Sequence, residues 1–372
     1  MSNEKRHRIQ GDELRAALEK ILAQRVKVLR RRLCAYSSSY TVENLDVTLA
    51  RGKKLRLVLK DVSPPSVLAT VQQVRPHFLY HPAREIEVYE NMLQPGSHGT
   101  AKCLGTVNSP ELERHWLFLE RVEGRLLWQS GDLAHWDAAA RWLGEFHSAS
   151  NGAQALARFN ARPSVAHEQA GPLSVRELKR RERRAPPMQA ALRGGKTLLR
   201  YDEKFFGVWI ERAEKFLKRR RAAELRSFGQ LVKNYGRVVK RLAALPQTFI
   251  HGECYASNVI VRAGAAAGKI CVIDWELAGV GPGALDLAAL TAGEWNDAEK
   301  RRFVTAYREG LNSRRAPAVG ELMEAVELCQ LHLSVQMLGW AEDWTPPEQH
   351  AQNWLSTALR LADKLGVVTS DK

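Results

Sequence analysis

The sequence predicts an α+β fold with two lobes, a β-rich N-terminal lobe over residues 1–122 and a larger helical lobe over 123–372. Residues 40–49 alternate apolar and polar side chains, which is typical of a half-buried strand. After Gly124 the apolar residues recur mainly at helical spacing. Because the strands come first and the helices second, we expect two lobes joined by a short connector near residue 122.

The N-terminal lobe is predicted to open with an amphipathic helix, since Leu14, Leu18, Ile21 and Leu22 recur at helical spacing. Short apolar or alternating runs then predict several strands, and the apolar residues between 83 and 93 return to helical spacing. The predicted strands cover 26–29, 40–49, 55–60 and 115–122.

The C-terminal lobe is predicted to be helical around one small hairpin. A helix is expected over 132–147, two or more helices over the basic segment 174–245, and further helices through most of the last 80 residues. The apolar runs 259–261 and 270–274 predict the hairpin strands, with the turn at 262–269.

The chain is strongly basic, with 56 Lys and Arg against 41 Asp and Glu. Nearly all of the excess falls between residues 174 and 241, which hold 21 basic and 7 acidic residues. Glu and apolar residues are interspersed there at helical spacing, which favours solvated faces of amphipathic helices. We therefore do not expect nucleic acid as a partner. Two alternatives to the solvated faces stay open, which are nucleic-acid binding through this segment and recognition of an anionic acceptor or partner.

The sequence predicts a cytoplasmic protein without membrane contact. Its longest stretch without a formal charge, 328–341, has 14 residues, fewer than the roughly 20 apolar residues that a spanning helix needs. The first 20 residues contain no apolar run of the kind that a secretory signal has. The five cysteines lack the spacing of zinc ligands, so we expect reduced thiols.

The residues that carry chemistry are concentrated around the predicted hairpin. Glu253 and Asn258 follow one apolar run, and Asp274 follows the next. Amide and carboxylate oxygens are hard ligands of the kind that Mg²⁺ takes alongside phosphates. A remaining carboxylate can accept a proton from an attacking hydroxyl, so the set contains what phosphoryl transfer requires.

The order of these residues resembles the aminoglycoside phosphotransferase / choline kinase family, whose members have a protein-kinase-like fold. The pattern is His-Gly-acid-x4-Asn at 251–258, Ile-Asp-x-Glu at 273–276 and Asp-Leu-Ala at 286–288. The resemblance extends over roughly residues 25–362. It implies an ATP- and Mg²⁺-dependent kinase that phosphorylates a hydroxyl group of a small molecule, such as a sugar, an amino alcohol or an aminoglycoside-like compound.

The resemblance also implies a role for each matching residue. In the C-terminal lobe, Glu253 is expected as the catalytic carboxylate, Asn258 and Asp274 as Mg²⁺ ligands, and Glu276 as an assisting group at the metal. His251 and Asp286 are expected to support the catalytic loop. For the nucleotide, the implied residues are Lys60 on the phosphates, Glu85 orienting Lys60, the backbones of Glu120 and Val122 at adenine, and Ser37, Ser38 and Ser39 covering the phosphates.

Two positions depart from the family pattern. The family usually has Asp where this chain has Glu253, and the phosphate-covering segment has serines in place of glycines. The extra methylene moves the carboxylate by more than about 1 Å, a shift that can cost about 10²-fold when alignment is tight. A catalytically degenerate kinase-like protein that binds a nucleotide or a partner is therefore the alternative hypothesis.

Overall fold

The computed structural model describes residues 8–34, 39–93, 99–150, 197–220, 225–264, 269–314, 316–340 and 353–368. Its strands and helices form the α+β fold that the sequence predicts. The described residues divide into two compact units. Of these residues, the first unit contains all that precede residue 125, together with Thr197 and 262–276. The second unit contains 125–150, 198–261 and all from Leu277 onward.

The first unit contains a five-stranded antiparallel sheet in the order β1-β2-β3-β5-β4. The half-buried strand predicted at 40–49 is confirmed, because every second side chain of that strand is buried. The last predicted strand ends at Glu120, two residues earlier than its composition suggests. The strands are β1 (Val26–Leu33), β2 (Thr41–Leu49), β3 (Lys54–Asp61), β4 (Cys103–Ser109) and β5 (Arg114–Glu120).

A helix before the sheet completes the core of this unit. Helix α1 (Gly11–Leu22) places Leu14 and Leu18 at 0% exposure among buried sheet residues such as Leu45 and Phe118. The predicted amphipathic helix is thereby confirmed. Burying a leucine side chain contributes about 2 kcal/mol, so α1 is an integral part of this core.

Two further helices of the first unit, α2 (Ala69–Val74) and α3 (Arg84–Asn91), follow β3 in the chain. The predicted helix at 83–93 is confirmed by α3, which buries Glu85. The short strand β10 (Ile270–Val272) also belongs to this unit, and Val272 forms a parallel bridge with Thr100.

The second unit is mainly helical. Its basic segment forms two amphipathic helices within the described residues, and the longer one exposes Lys233, Arg237 and Lys240 while it buries Leu231 and Tyr235. Solvated basic faces are therefore confirmed there, whereas 174–196 lies outside the described residues. The helices are α4 (Leu133–Ser150), α5 (Glu203–Arg220), α6 (Leu225–Ala244), α7 (Gly283–Leu290), α8 (Asp297–Gly310), α9 (Val319–Trp340) and α10 (Trp354–Lys364).

A small sheet in the second unit has the order β7-β11-β8. Strand β11 pairs with β7 in parallel and with β8 antiparallel. Its Gly279 is required by close packing, because a Cβ atom there would meet the backbone oxygen of Leu199. The remaining strands are β6 (Gly124–Leu126), β7 (Leu199–Arg200), β8 (Gln247–Ile250), β9 (Val259–Arg262) and β11 (Gly279–Pro282). Within the described ranges no helix combines the length and apolarity needed to cross a membrane.

Candidate active site

Lys60 forms two short ion pairs in the first unit. Its Nζ atom lies 2.5 Å from Glu85 Oε2 and 2.5 Å from Asp274 Oδ1. Lys60 is on β3, Glu85 is in the first turn of α3, and Asp274 follows β10. Three residues that are far apart in the sequence, and that the sequence predicts to share one site, therefore meet around one ammonium group.

The backbone of the turn after β10 directs Asp274 away from its strand. Asp274 has a left-handed φ of 69°, a conformation that Asp tolerates better than most residues. The next residue, Trp275, donates its N–H to Glu85 Oε1 at 3.2 Å. Glu85 thus holds the Lys60 side chain with one oxygen and the turn that carries Asp274 with the other.

The carboxylates around Lys60 keep its ammonium group charged despite its burial. Burial alone would lower the pKa of Lys60, but Asp274 and then Glu85 hold that pKa well above its usual value. Burial raises the pKa of Glu85 to about 7, against the opposing effect of Lys60. Lys60 is therefore a fixed cation at neutral pH, as a phosphate ligand must be.

Glu276 occupies a different environment from Asp274 in the same turn. It accepts hydrogen bonds from Arg75 and from Ser39, and its side chain is 7% exposed against 27% for Asp274. Burial alone would raise the pKa of Glu276, but Arg75, Lys60 and the hydrogen bond from Ser39 lower it to about 2. The predicted residues Ser37 and Ser38 lie outside the described residues.

The connector after β5 carries the two residues predicted to hold adenine. Arg262 pairs with the Glu120 side chain at 2.9 Å, while the N–H of Glu120 donates to Lys102 O. Neither the N–H nor the C=O of Val122 is hydrogen-bonded to another described residue. An unpaired donor and acceptor at one position can serve the edge of a nucleotide base.

In the second unit, Asp286 holds the backbone of the turn that precedes Glu253. Its carboxylate accepts the N–H groups of His251 at 2.6 Å and of Gly252 at 2.8 Å, and it contacts His147 Nε2 at 3.2 Å. Asp286 is 0% exposed. It comes from the first turn of α7, so the rigid helix fixes the position of the loop.

Gly252 is needed where it stands. It has a φ of +86°, and a Cβ atom there would meet the hydroxyl of Tyr201 and the backbone oxygen of Leu277. The Tyr201 hydroxyl donates to that same Leu277 oxygen at 2.7 Å. No side chain fits between these two groups, so the loop approaches them with bare backbone.

Hydrogen bonds on both sides fix the backbone of Glu253. Its N–H donates to His251 Nδ1 at 3.2 Å, and its C=O accepts the side-chain amide of Asn258 at 2.9 Å. The second bond fixes the direction of the Asn258 amide, whose Oδ1 accepts no hydrogen bond from the described residues. Asn258 therefore offers an oxygen, the atom that a hard cation requires.

Each unit offers, by itself, one oxygen of the kind that Mg²⁺ takes alongside phosphates. Among the described residues, no group of three or more His, Cys, Asp or Glu side chains could hold a metal by itself. The first unit offers the partly exposed carboxylate of Asp274, and the second offers the Asn258 amide oxygen. Mg²⁺ is usually bound by one or two such protein oxygens together with substrate phosphates and water.

Two residues of this region were not predicted from the sequence. Arg75 and Tyr40 contact Glu276 and Lys60 respectively, but neither belongs to a motif. Arg75 directly follows a short helix and precedes a proline, and an arginine in that position is usually solvated. Only its buried position in the structure reveals its partners.

A model of the phosphotransferase enzyme family (APH) matches residues 34–323 of this chain. This range contains every predicted site residue. No curated protein sequence matches the chain at a significant level.

Solved structures of similar fold include a protein assigned as an aminoglycoside phosphotransferase from Ralstonia eutropha JMP134, with a TM-score of 0.58 and 13% identity over 96% of this chain and 99% of that one. A single-residue variant of aminoglycoside 2'-phosphotransferase IIIa in complex with GDP has a TM-score of 0.53 and 12% identity, over 94% and 96% of the chains. Spectinomycin phosphotransferase APH(9)-Ia, in complex with ADP and spectinomycin, has a TM-score of 0.50 and 10% identity, over 97% and 100%. At these identities the similarity establishes the fold.

Proposed function

The chain belongs to the phosphotransferase enzyme family, and from this we propose that it is a kinase that uses ATP and Mg²⁺ to phosphorylate a hydroxyl group of a small molecule. The observation that carries the proposal is Lys60, held as a cation between Glu85 and Asp274. A lysine on the third strand, paired with a helix glutamate, is the arrangement that binds nucleotide phosphates in kinases.

Each residue has a distinct task in the proposed reaction. Lys60 binds the phosphates, and Asp274 and Asn258 hold Mg²⁺, which neutralises phosphate charge when it is bound. Glu253 accepts the proton of the acceptor hydroxyl on its carboxylate. The acceptor oxygen forms a bond to the γ-phosphorus while the bond from that phosphorus to the β-phosphate oxygen breaks, and ADP leaves.

The nucleotide base is proposed to bind the free N–H and C=O of Val122. Both groups belong to the backbone, so they set no strict preference between adenine and guanine. The solved structures of similar fold hold ADP in one case and GDP in another. ATP is the first candidate, and GTP belongs in the same experiment.

The acceptor class is proposed as a sugar, an amino alcohol or an aminoglycoside-like compound. Spectinomycin is the compound bound by one structure of similar fold. We place the enzyme in the cytoplasm, where ATP is available and thiols stay reduced, and none of the five cysteines, all of which are described, forms a disulfide.

A coupled binding and turnover experiment tests the proposal. Thermal unfolding is followed with ATP or GTP, with and without Mg²⁺, and ADP or GDP release is then measured across a panel of sugars, amino alcohols, nucleosides and aminoglycosides. We expect Mg²⁺-dependent stabilisation and acceptor-dependent nucleotide release, both of them lost in Asp274→Asn. Glu324→Gln, which changes an exposed partner of Arg241, serves as the control.

The alternative, a catalytically degenerate nucleotide-binding protein, predicts stabilisation without turnover for every acceptor. The Glu253 substitution motivates this alternative. A protein that neither nucleotide stabilises would contradict both hypotheses.

A further inference from the structure

Arg75 and Glu276 form an ion pair inside the first unit. The Arg75 Nη2 atom lies 2.9 Å from Glu276 Oε1, and each side chain is only 7% exposed. The residues are about 200 positions apart, and Arg75 follows the last residue of α2. Removing one partner of such a pair would leave a buried, uncompensated charge, so the pair acts as a unit.

The pair reaches the segment that leads into β2. Glu276 Oε1 also accepts the Ser39 hydroxyl at 3.1 Å, and Arg75 Nη1 donates to the Tyr40 hydroxyl at 3.1 Å. The backbone of the same segment is tied to the residues before α2, because Leu68 N–H donates to Ser39 O. Ser39 and Tyr40 are therefore fixed by the pair through their side chains.

Tyr40 connects the pair to the phosphate-binding lysine. The Arg75 guanidinium lies 5.7 Å from the centre of the Tyr40 ring, and Lys60 Nζ lies 5.5 Å from it. Both distances are within the range of a cation–π interaction. The Tyr40 ring thus forms one wall around the Lys60 ammonium, which also contacts the carboxylates of Glu85 and Asp274.

Glu276 is closed to a hydrated cation. Its Oε1 is occupied by two donors, and its Oε2 has no solvent contact and no hydrogen-bond partner among the described residues. Asp274, two residues earlier, is partly exposed, and its Oδ2 accepts no hydrogen bond from the described residues. The two carboxylates of this turn therefore differ in what they can bind.

We propose that Arg75 and Glu276 are positioning residues that hold Ser39, Tyr40 and Lys60 in place for the nucleotide phosphates, and that Asp274 alone of the two carboxylates in this turn serves the metal. The inference rests on the proposed function. It replaces the expectation that Glu276 assists at the metal with a role in nucleotide binding that does not require metal.

The test is nucleotide binding with and without metal, measured by calorimetry. AMP-PNP and GMP-PNP are each titrated into the protein in Mg²⁺ and in EDTA. For each nucleotide, the dissociation constant in EDTA divided by that in Mg²⁺ is the ratio that reports what the metal contributes. The double variant Arg75→Met with Glu276→Gln removes both charges together, so that the net charge is kept. We expect about tenfold weaker binding in both solutions, as the loss of two or more hydrogen bonds implies, with the ratio changed less than threefold.

Three further variants sharpen the comparison. Asp274→Asn is expected to lower the ratio at least about tenfold, because it removes a metal ligand. Arg75→Lys keeps a cation for Glu276 with fewer donors for Tyr40, and we expect it to recover part of the lost affinity. The matched control exchanges another ion pair of the first unit, Arg114→Met with Glu13→Gln, and is expected to change neither constant by more than about twofold.

The inference is overturned if the double variant lowers the ratio as much as Asp274→Asn does, because Glu276 would then be a metal ligand. It is also overturned if the double variant binds nucleotide as the unaltered protein does. Should the double variant fail to fold, Arg75→Lys, which leaves neither charge of the pair uncompensated, decides the matter. Nucleotide binding weaker than in the unaltered protein at an unchanged ratio supports the inference, and unaltered binding overturns it. If the unaltered protein binds neither nucleotide, the proposed function fails and the inference fails with it, whereas an unchanged ratio in Asp274→Asn contradicts only the assigned metal ligand.

Discussion

The Oδ2 atom of Asp286 accepts a hydrogen bond from the backbone N–H of His251 at 2.6 Å. The other oxygen of the same carboxylate accepts the N–H of Gly252. A buried carboxylate thus holds two consecutive backbone groups of the loop that carries Glu253, one residue further on. The position of the loop therefore depends on a side chain from α7.

Replacing Asp286 with Asn is expected to lower the free energy of unfolding by about 2 kcal/mol, because the amide offers one acceptor where the carboxylate offers two. Urea denaturation measures the loss. Glu324→Gln removes the charge of an exposed carboxylate that pairs with Arg241, and it should leave the midpoint almost unchanged. Equal effects of the two substitutions would contradict the role given to Asp286.

Gly252→Ala is expected to destabilise the protein by about 3 kcal/mol, since the new Cβ meets two oxygen atoms and the left-handed backbone adds strain. Gly236→Ala is the matched substitution. Gly236 lies on the exposed side of α6 with open space around it, so alanine should stabilise the protein by about 0.5–1 kcal/mol. Thermal unfolding of both variants should show shifts of opposite sign.

Glu253→Asp tests whether the site is built around the longer carboxylate. Because hydrogen bonds at both its N–H and its C=O fix the backbone of Glu253, the loop cannot follow a shorter side chain. We expect turnover to fall by about 10²-fold while nucleotide affinity stays the same. A rise in turnover would show instead that the glutamate handicaps the site.

His332 makes the second unit sensitive to acid. It is fully enclosed beside Tyr235 and Phe206, and burial lowers its pKa to about 3, against the opposing effect of Gln336. Below about pH 6.5 the imidazole takes up a proton in the unfolded chain but not in the folded chain. The free energy of unfolding therefore decreases as the pH is lowered.

Lowering the pH from 7.5 to 5.5 should therefore lower the free energy of unfolding of the unaltered protein by about 1 kcal/mol more than that of His332→Gln. Urea denaturation of both proteins at the two pH values gives the difference directly. Parallel losses in the two proteins would mean that other groups are responsible for the acid sensitivity.

The sequence was sufficient for local elements and for the order of the site residues. Helix α1 and strand β2 follow directly from apolar spacing. Lys60, Glu85 and Asp274 were predicted to share a site because they match a family pattern, and the structure brings them together.

Contacts without a local pattern could not be predicted. Strand β11 contains two glycines and a proline in four residues, and it exists because Leu199 and Ile250 pair with Gly279 from either side. The ion pair of Arg75 and Glu276 depends on two turns that meet only in the folded protein. Neither periodicity nor composition contains that information.

The segment shared with the phosphotransferase family is smaller than the segment that folds. The family match begins at residue 34, after α1 and β1, yet Leu14 and Leu18 are as fully buried as the sheet residues they contact. Helix α10 likewise lies beyond residue 323 and buries Leu355 and Leu361. A protein trimmed to the family boundaries would expose both apolar surfaces to water, so such a fragment should aggregate even though every residue of the candidate site is retained.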